Sequence, residues 1–184
     1  MIIKTKRLII QPAEVTEKNI EFIYTLWANP DVMKFVGFPQ GFKTDKQKIR
    51  EQLESEQGKV FNRVLIVSRK DDNELIGNCK LGSTDESGIA HTDVKVLPKF
   101  WRNGYGKEIK KALVEYQFEN TECVGVQGDP NKLNIASIKM QEAVGGKKVR
   151  EGVHKFPESM KDYTTDVPYV VYIVYRSDWE KKNS

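Results

Sequence analysis

Two cysteines, two histidines and no long apolar run narrow the chemistry before any motif is considered. Cys79 and Cys123 lie far apart and form no CxxC, so neither a disulfide framework nor a thiol redox motif is expected, and each reads as a small core residue. His91 and His154 fall in no HExxH or Cys/His cluster, which leaves almost no ligands for a zinc or iron site, and no metal is expected. The longest apolar stretch, Tyr169 to Tyr175, is far shorter than the roughly 20 residues of a membrane-spanning helix and suits a buried strand. Lys4, Lys6 and Arg7 precede only the short apolar run Leu8 to Ile10, not the roughly 7 to 15 residues of a signal peptide. A cytoplasmic protein with no membrane partner is therefore expected. No repeat, low-complexity segment or Pro/Gly/Ser linker divides the chain.

What remains is one folded domain spanning residues 1–184, with 30 % charged, 39 % hydrophobic and 10 % aromatic residues. The net charge of +4 comes from 30 basic residues interspersed with 26 acidic ones, which weakly favours an anionic ligand. It does not form the basic stripe with exposed aromatics that nucleic acid requires, so no nucleic-acid partner is expected; that competing reading would rest on Lys107, Lys110, Lys111, Lys147, Lys148 and Arg150.

Periodicity gives the order of elements. Thr5 to Gln11 reads as a first strand stopped by Pro12, and Glu17 to Ala28 as a helix capped by Thr16 and ended by Asn29-Pro30. Val32 to Phe42, with three Phe among Gly and Pro, reads as a loop before a helix from about Asp45 to Gln57. Arg63 to Ser68, Leu75 to Leu81 and Ile89 to Leu97 then form an antiparallel meander. After Pro98 comes Trp101-Arg102-Asn103-Gly104-Tyr105-Gly106-Lys107, entering a helix whose apolar face is Ile109, Ala112, Leu113 and Tyr116. A strand from Glu122 to Gln127, a helix from about Asn134 to Val144, two strands at Lys148 to Lys155 and Val167 to Tyr175, and a polar tail complete the chain.

A helix entered through Asn103-Gly104-Tyr105-Gly106 presents unpaired N–H groups and the positive end of its dipole, with glycines leaving room for close approach, a combination that binds phosphate. Neither GxGxxG nor GxxxxGK[ST] occurs, so the ligand is not expected to be NAD or ATP in their usual cradles. Asn134 and Ser137 share one face at the start of the next helix, where capping explains them as readily as ligand binding does.

The segment DVKVLPKFWRNGYGKE followed by NIASIKMQEAVGG, with TKRLIIQP at the start, resembles the GNAT superfamily of N-acetyltransferases, in particular the branch acting on ribosomal-protein N-termini and related small amines. The resemblance implies an α/β fold with a mixed, mostly antiparallel twisted sheet of about seven strands flanked by about four helices, and acetyl-coenzyme A as co-substrate. By carry-over, the backbone of Val94, Lys95, Val96 and Leu97 would pair with the pantetheine arm, with the acetyl carbonyl taking an N–H near Val96. The N–H groups of Arg102, Asn103, Gly104, Tyr105, Gly106 and Lys107 would receive the pyrophosphate. Asn134 would hydrogen-bond the arm and Ser137 would lie near the thiol, while Lys107, Lys132 and Lys139 are candidates for the adenosine phosphates. Two positions depart from the family: Trp101 stands where its loop has Gln or Arg, and Gln141 where many members have an acid tyrosine, so the acid role passes to Ser137.

The implied reaction is direct attack of a neutral primary amine, on a small molecule or a peptide N-terminus, with an oxyanion held by a backbone N–H. An alkyl amine with a pKa of about 10.4 must first lose a proton, and His91 and Asp93, on one face of a regular strand, are the catalytic candidates, with Glu158, Asp162 and Tyr163 next. Phe35, Phe38 and Phe42 are candidate pocket walls, although Phe residues in such a loop mostly pack on the core, and Glu158, Asp162 and Asp166 could attract a cation. A monomer or homodimer is expected, and a non-catalytic coenzyme A-binding module is the competing reading.

Overall fold

The computed structural model describes residues 1–183. In chain order its elements are β1 (Ile3–Lys4), β2 (Leu8–Pro12), α1 (Glu17–Ala28), α2 (Pro30–Met33), α3 (Lys46–Ser55), β3 (Arg63–Arg69), β4 (Leu75–Thr84), β5 (Ile89–Val96), α4 (Tyr105–Asn120), β6 (Gly125–Gly128), α5 (Ile135–Ala143), β7 (Lys147–His154), β8 (Val167–Tyr175) and α6 (Arg176–Asn183). The strands form one mixed sheet in the order β1-β2-β3-β4-β5-β6-β8-β7. Among the described residues there are thus eight strands and six α-helices, where seven and four were expected.

Each difference has a physical cause. The extra strand β1 is two residues long and pairs only with Ile9 and Ile10 of β2, too short to show a period. Pro12 does not stop β2, because β1 does not reach it and its missing N–H therefore faces no partner, while Leu65 of β3 lies opposite on the other side. Asn29-Pro30 ends α1 and also starts α2: the Asn29 carboxamide accepts from the N–H groups of Asp31 (2.9 Å) and Val32 (3.3 Å), and proline suits the first helical turn. The polar tail is helix α6. Arg176 at its start donates to the carbonyls of Phe118 (2.9 Å), Thr121 (2.5 Å) and Cys123 (2.7 Å), satisfying groups that the end of α4 leaves open.

Helices cover both faces of the sheet, so β3 is apolar on successive residues. Val64 and Ile66 pack with Ile20 and Ile23 of α1 and Ile49 and Leu53 of α3. Leu65 and Val67 point the opposite way, into a cluster with Ile109, Ala112 and Leu113 of α4. At roughly 1.5–3 kcal/mol for each fully buried large aliphatic side chain, these two layers fix where the first turn of α4 sits.

The parallel contact of β5 with β6 is brief. It joins Ile89, Ala90 and His91 to Gly125, Val126 and Gln127, after which β5 continues to Val96 bonded to β4 alone. The two strands therefore diverge in the middle of the sheet. No helix among the described residues is long and apolar enough to cross a membrane.

Candidate active site in the splayed sheet

Where β5 leaves β6, its outer edge is unpaired. Leu97 donates its N–H to Ile76 of β4 (2.9 Å), so by the alternation of an antiparallel ladder Val94 and Val96 direct their backbone groups away from β4, toward the gap. The Trp101 indole takes the Val96 carbonyl (2.7 Å), which accounts for a tryptophan at a position where the family has Gln or Arg. The Val94 and Val96 N–H groups remain directed into the opening.

The Gly-loop closes one end of this gap. Arg102 has φ +64° and Gly104 φ +76°, so the loop turns twice through the left-handed region before α4 begins, at a strain cost of about 1 kcal/mol or more for the arginine. No side chain caps α4, and its first turn keeps its N–H groups available. At Gly106 an added Cβ would come within 3.3 Å of the Met140 sulfur, a tight contact that the methionine side chain would have to yield by a few tenths of an ångström. Asn103 turns away from the opening: its amide donates to the carbonyls of Phe100 (3.2 Å) and Trp101 (3.0 Å), and its own carbonyl accepts from Arg7.

The TKRL segment has a structural task here. Glu108, in the first turn of α4, accepts from the Thr5 hydroxyl (2.5 Å), the Arg7 N–H (2.9 Å) and the Arg7 guanidinium (2.7 Å), while Arg7 also donates to the Asn103 carbonyl (2.9 Å) and stacks on Tyr105. Burial would raise the Glu108 pKa, but the hydrogen bonds from Thr5 and Arg7 outweigh it and hold the carboxylate below its ordinary value. Glu108→Ala is expected to lower the unfolding free energy by roughly 1–2 kcal/mol at pH 7, the partly exposed arginine limiting the effect. A depressed carboxylate contributes above its unfolded-state pKa, so the difference between variant and wild type must shrink as pH falls through the folded-state value; denaturant titrations at pH 7 and pH 3.5 read it.

A cleft of about 1240 Å³ runs along this opening. Of the residues singled out from the sequence, Val94, Lys95, Val96, Arg102, Gly104, Tyr105, Gly106, Lys107, Asn134, Ser137, His91 and Asp93 line it. Leu97 packs with core residues and turns its N–H to Ile76, whereas the bonds made by Asn103 use its side-chain amide and its carbonyl and not its backbone N–H. Asn134 caps α5, its Oδ1 accepting from the Ser137 N–H at 3.1 Å. Lys139 lines the cleft, whereas Lys132 is held by Glu151. Phe35 and Phe38 are walls, but Phe42 packs against Phe38 (4.8 Å between centroids) in the core. Glu158, Asp162, Tyr163 and Asp166 do not line it; Glu158 pairs with Lys161 at 2.5 Å. The surface needed for a basic stripe is also broken, since Lys110 is buried and Lys111, Lys147 and Lys148 pair with Glu115, Asp178 and Glu151.

A smaller pocket of about 70 Å³ brings Asp93 together with Thr92, Asp129, Ser137 and Gln141. Asp93 is paired with Lys95, and His91 leans toward Asp85, 3.9 Å away. Gln141, at the position of the family's tyrosine, is buried with its Oε1 lacking a hydrogen bond.

Two residues of this site escaped the sequence reading. Asp129 follows β6 and precedes Pro130, a dipeptide that by itself signals only a turn. Lys110 looked like a surface charge, yet it is completely buried at the fork of β5 and β6, with its ammonium on the Thr92 hydroxyl and 3.4 Å from the Gln127 carbonyl, to which Thr92 itself donates (2.9 Å). Burial pushes its pKa down to about 7 against the opposing pull of Asp129 and Asp93. The available signal was its place three and four residues before Leu113 and Val114, on the buried side of α4.

A mixed sheet with a splayed parallel pair, a glycine loop and a helix start facing the gap defines an α/β class of fold with one open cleft along the splayed edge. Residues 7–147 match the family model described as an acetyltransferase (GNAT) domain, and the chain belongs to that family. It is an acetyltransferase of GNAT type. It is 25 % identical over 169 residues to the curated "Uncharacterized N-acetyltransferase p20" of Bacillus licheniformis, covering 89 % of this chain and 90 % of that one. The FsC-acetyl coenzyme A-N(2)-transacetylase of Aspergillus fumigatus is 27 % identical over 187 residues, covering 95 % and 76 %. The same fold is seen in a GNAT-family acetyltransferase from Bacillus anthracis (TM-score 0.75, 22 % identity, 95 % and 98 % covered). It is seen again in the spermidine N-acetyltransferase of Vibrio cholerae in complex with CoA and spermine (TM-score 0.75, 15 % identity, 92 % and 96 % covered).

Proposed function

We propose that this acetyltransferase moves the acetyl group of acetyl-coenzyme A to a primary amine, on a small molecule or a peptide N-terminus, by direct attack and without a covalent enzyme intermediate. The observation that carries this is that the open β5 edge, with the N–H groups of Val94 and Val96, lies in one cleft with the uncapped start of α4. The residues fit an extended thioester with a phosphate tail, which supplies the activated acyl carbon when bound.

Val94 and Val96 hold the arm as a further strand would, and the Val96 N–H orients the acyl carbonyl. The N–H groups from Arg102 to Lys107 take the pyrophosphate, helped by Lys107 and Lys139. Asn134 and Ser137 position the arm and the thiol. The amine nitrogen forms the new C–N bond, the C–S bond breaks with its electron pair going to sulfur, and the nitrogen's extra proton must leave. Asp93 and Asp129 are the acceptors that share a pocket with Ser137, directly or through water, whereas His91 is drawn toward Asp85. The TKRLIIQP and NIASIKMQEAVGG segments support placing the chain nearest the branch that acts on ribosomal-protein N-termini and small amines.

The test is acetyl-coenzyme A-dependent thiol release with a panel of amines and short peptides. Replacing the true base by its amide, Asp93→Asn or Asp129→Asn, should lower kcat by roughly 10²- to 10⁴-fold and remove the acid limb of the pH profile. An unchanged profile in both variants would remove both carboxylates from the proton-transfer role.

A further inference from the structure

Beyond the residues given to the coenzyme, the cleft is lined by Phe35, Phe38, Phe156, Tyr169, His154 and Arg150. The rings support one another: His154 stands edge-on to Phe156 with centroids 4.8 Å apart, and Phe156 edge-on to Phe38 at 5.4 Å. Strand β7 places Arg150, Gly152 and His154 at alternate positions on one face. Gly152 makes room for the Tyr169 ring, whose hydroxyl would lie 2.5 Å from an added Cβ, and Arg150 reaches that hydroxyl at 3.5 Å.

Arg150 has no carboxylate partner among the described residues. Its chain neighbour Glu151 is on the other face, bound by Lys132 and Lys148, which hold its pKa down to about 2. Asp31, the acid of α2 that also lines the cleft, is taken by Lys34 at 2.7 Å. A guanidinium is charged at every working pH, and its planar fork matches a carboxylate. Away from Asp93 and Asp129, which face the reacting nitrogen, the acceptor end combines apolar ring faces with an arginine that has no carboxylate partner, a poor host for the distal charges of a polycation.

Resting on the acetyl-transfer reading, we propose that the acceptor is a monoamine with an aromatic or similarly bulky apolar body that also carries a carboxylate, the body lying against Phe35, Phe156 and Tyr169 and the carboxylate pairing with Arg150.

The probes are 4-(2-aminoethyl)benzoate and 2-phenylethylamine, which differ by one carboxylate, with spermidine as the polycation. Their affinities for the protein saturated with coenzyme A, read by calorimetry, need no turnover. The carboxylated amine should bind about 10- to 100-fold more tightly than 2-phenylethylamine, as expected for one charge-assisted pair. That ratio should collapse in Arg150→Gln and recover in part in Arg150→Lys, with the thermal shift caused by coenzyme A retained as evidence of folding. Equal binding of the matched pair by the wild type, tighter binding of spermidine, or a ratio untouched by Arg150→Gln would each overturn the proposal. Selective binding without acetylation of any probe would leave the subsite standing and sink the transfer reading.

Discussion

Acetyl-coenzyme A at a hundred times its dissociation constant is expected to raise the unfolding free energy by about 2.7 kcal/mol, because it binds only the folded chain. For a domain of this size that is a rise in Tm of roughly 5–10 °C. NAD at the same concentration should give none, since the loop lacks a dinucleotide fingerprint. Gly106→Leu should abolish the shift. Its side chain would have to displace the Met140 sulfur, already 3.3 Å from a bare Cβ, or enter the cleft at the start of α4 where the proposed site would hold the phosphates. The variant should still unfold cooperatively, because Gly106 lies on the cleft and not in the apolar core beneath α4. Full retention of the shift in Gly106→Leu would show that the ligand is held elsewhere. Absence of a shift in the wild type would return the loop to a purely structural role.

The second large effect concerns Lys110. In the unfolded chain its ammonium titrates at the ordinary 10.5, and in the folded protein at about 7. Between these values the unfolded chain holds a proton that the folded one has lost, so stability rises with pH across that window and the full penalty is present below pH 7. At about 1.4 kcal/mol for each pH unit between the two values, burying the charge costs the fold several kcal/mol at pH 6. Lys110→Met keeps an unbranched side chain, one heavy atom shorter, and removes the charge. The Thr92 hydroxyl and the Gln127 carbonyl remain bonded to each other at 2.9 Å, so neither is orphaned. Lys110→Met should therefore be more stable than wild type at pH 6, by something on the order of 1–4 kcal/mol, and the gain should dwindle toward pH 10. Denaturant titrations at the two pH values decide it: a variant less stable at pH 6, or a difference independent of pH, would show that the ammonium is not carried as a buried charge.

Much of the frame was legible because periodicity is a local property. Strand β8 and helix α1 have the ends read from the sequence, Val167 to Tyr175 and Glu17 to Ala28, each bounded by residues with a local reason to start or stop an element. The loop reading of Val32 to Phe42 missed α2 and a 3-10 turn because four- and three-residue helical segments carry no amphipathic period. The same holds for β1. The tail helix α6 was missed for another reason: its first residue, Arg176, is held by three carbonyls around the end of α4, more than fifty positions earlier.

By itself the sequence determined the alternation of strands and helices, the glycine loop at the start of α4, and the family resemblance, since each depends on residue types within short windows. Tertiary structure decided which of those residues meet. Asp93, Asp129 and Ser137 come from a strand, a turn and a helix, and share a pocket only because β5 and β6 part after three residue pairs. Lys110 became a buried charge because packing on the sheet rotated it to the fork. Arg150 became an uncompensated cation because the pleat of β7 sends Glu151 to the opposite face, where Lys132 and Lys148 hold it. Burial and charge balance are sums over neighbours distant in the chain, and only the folded sheet supplies those neighbours.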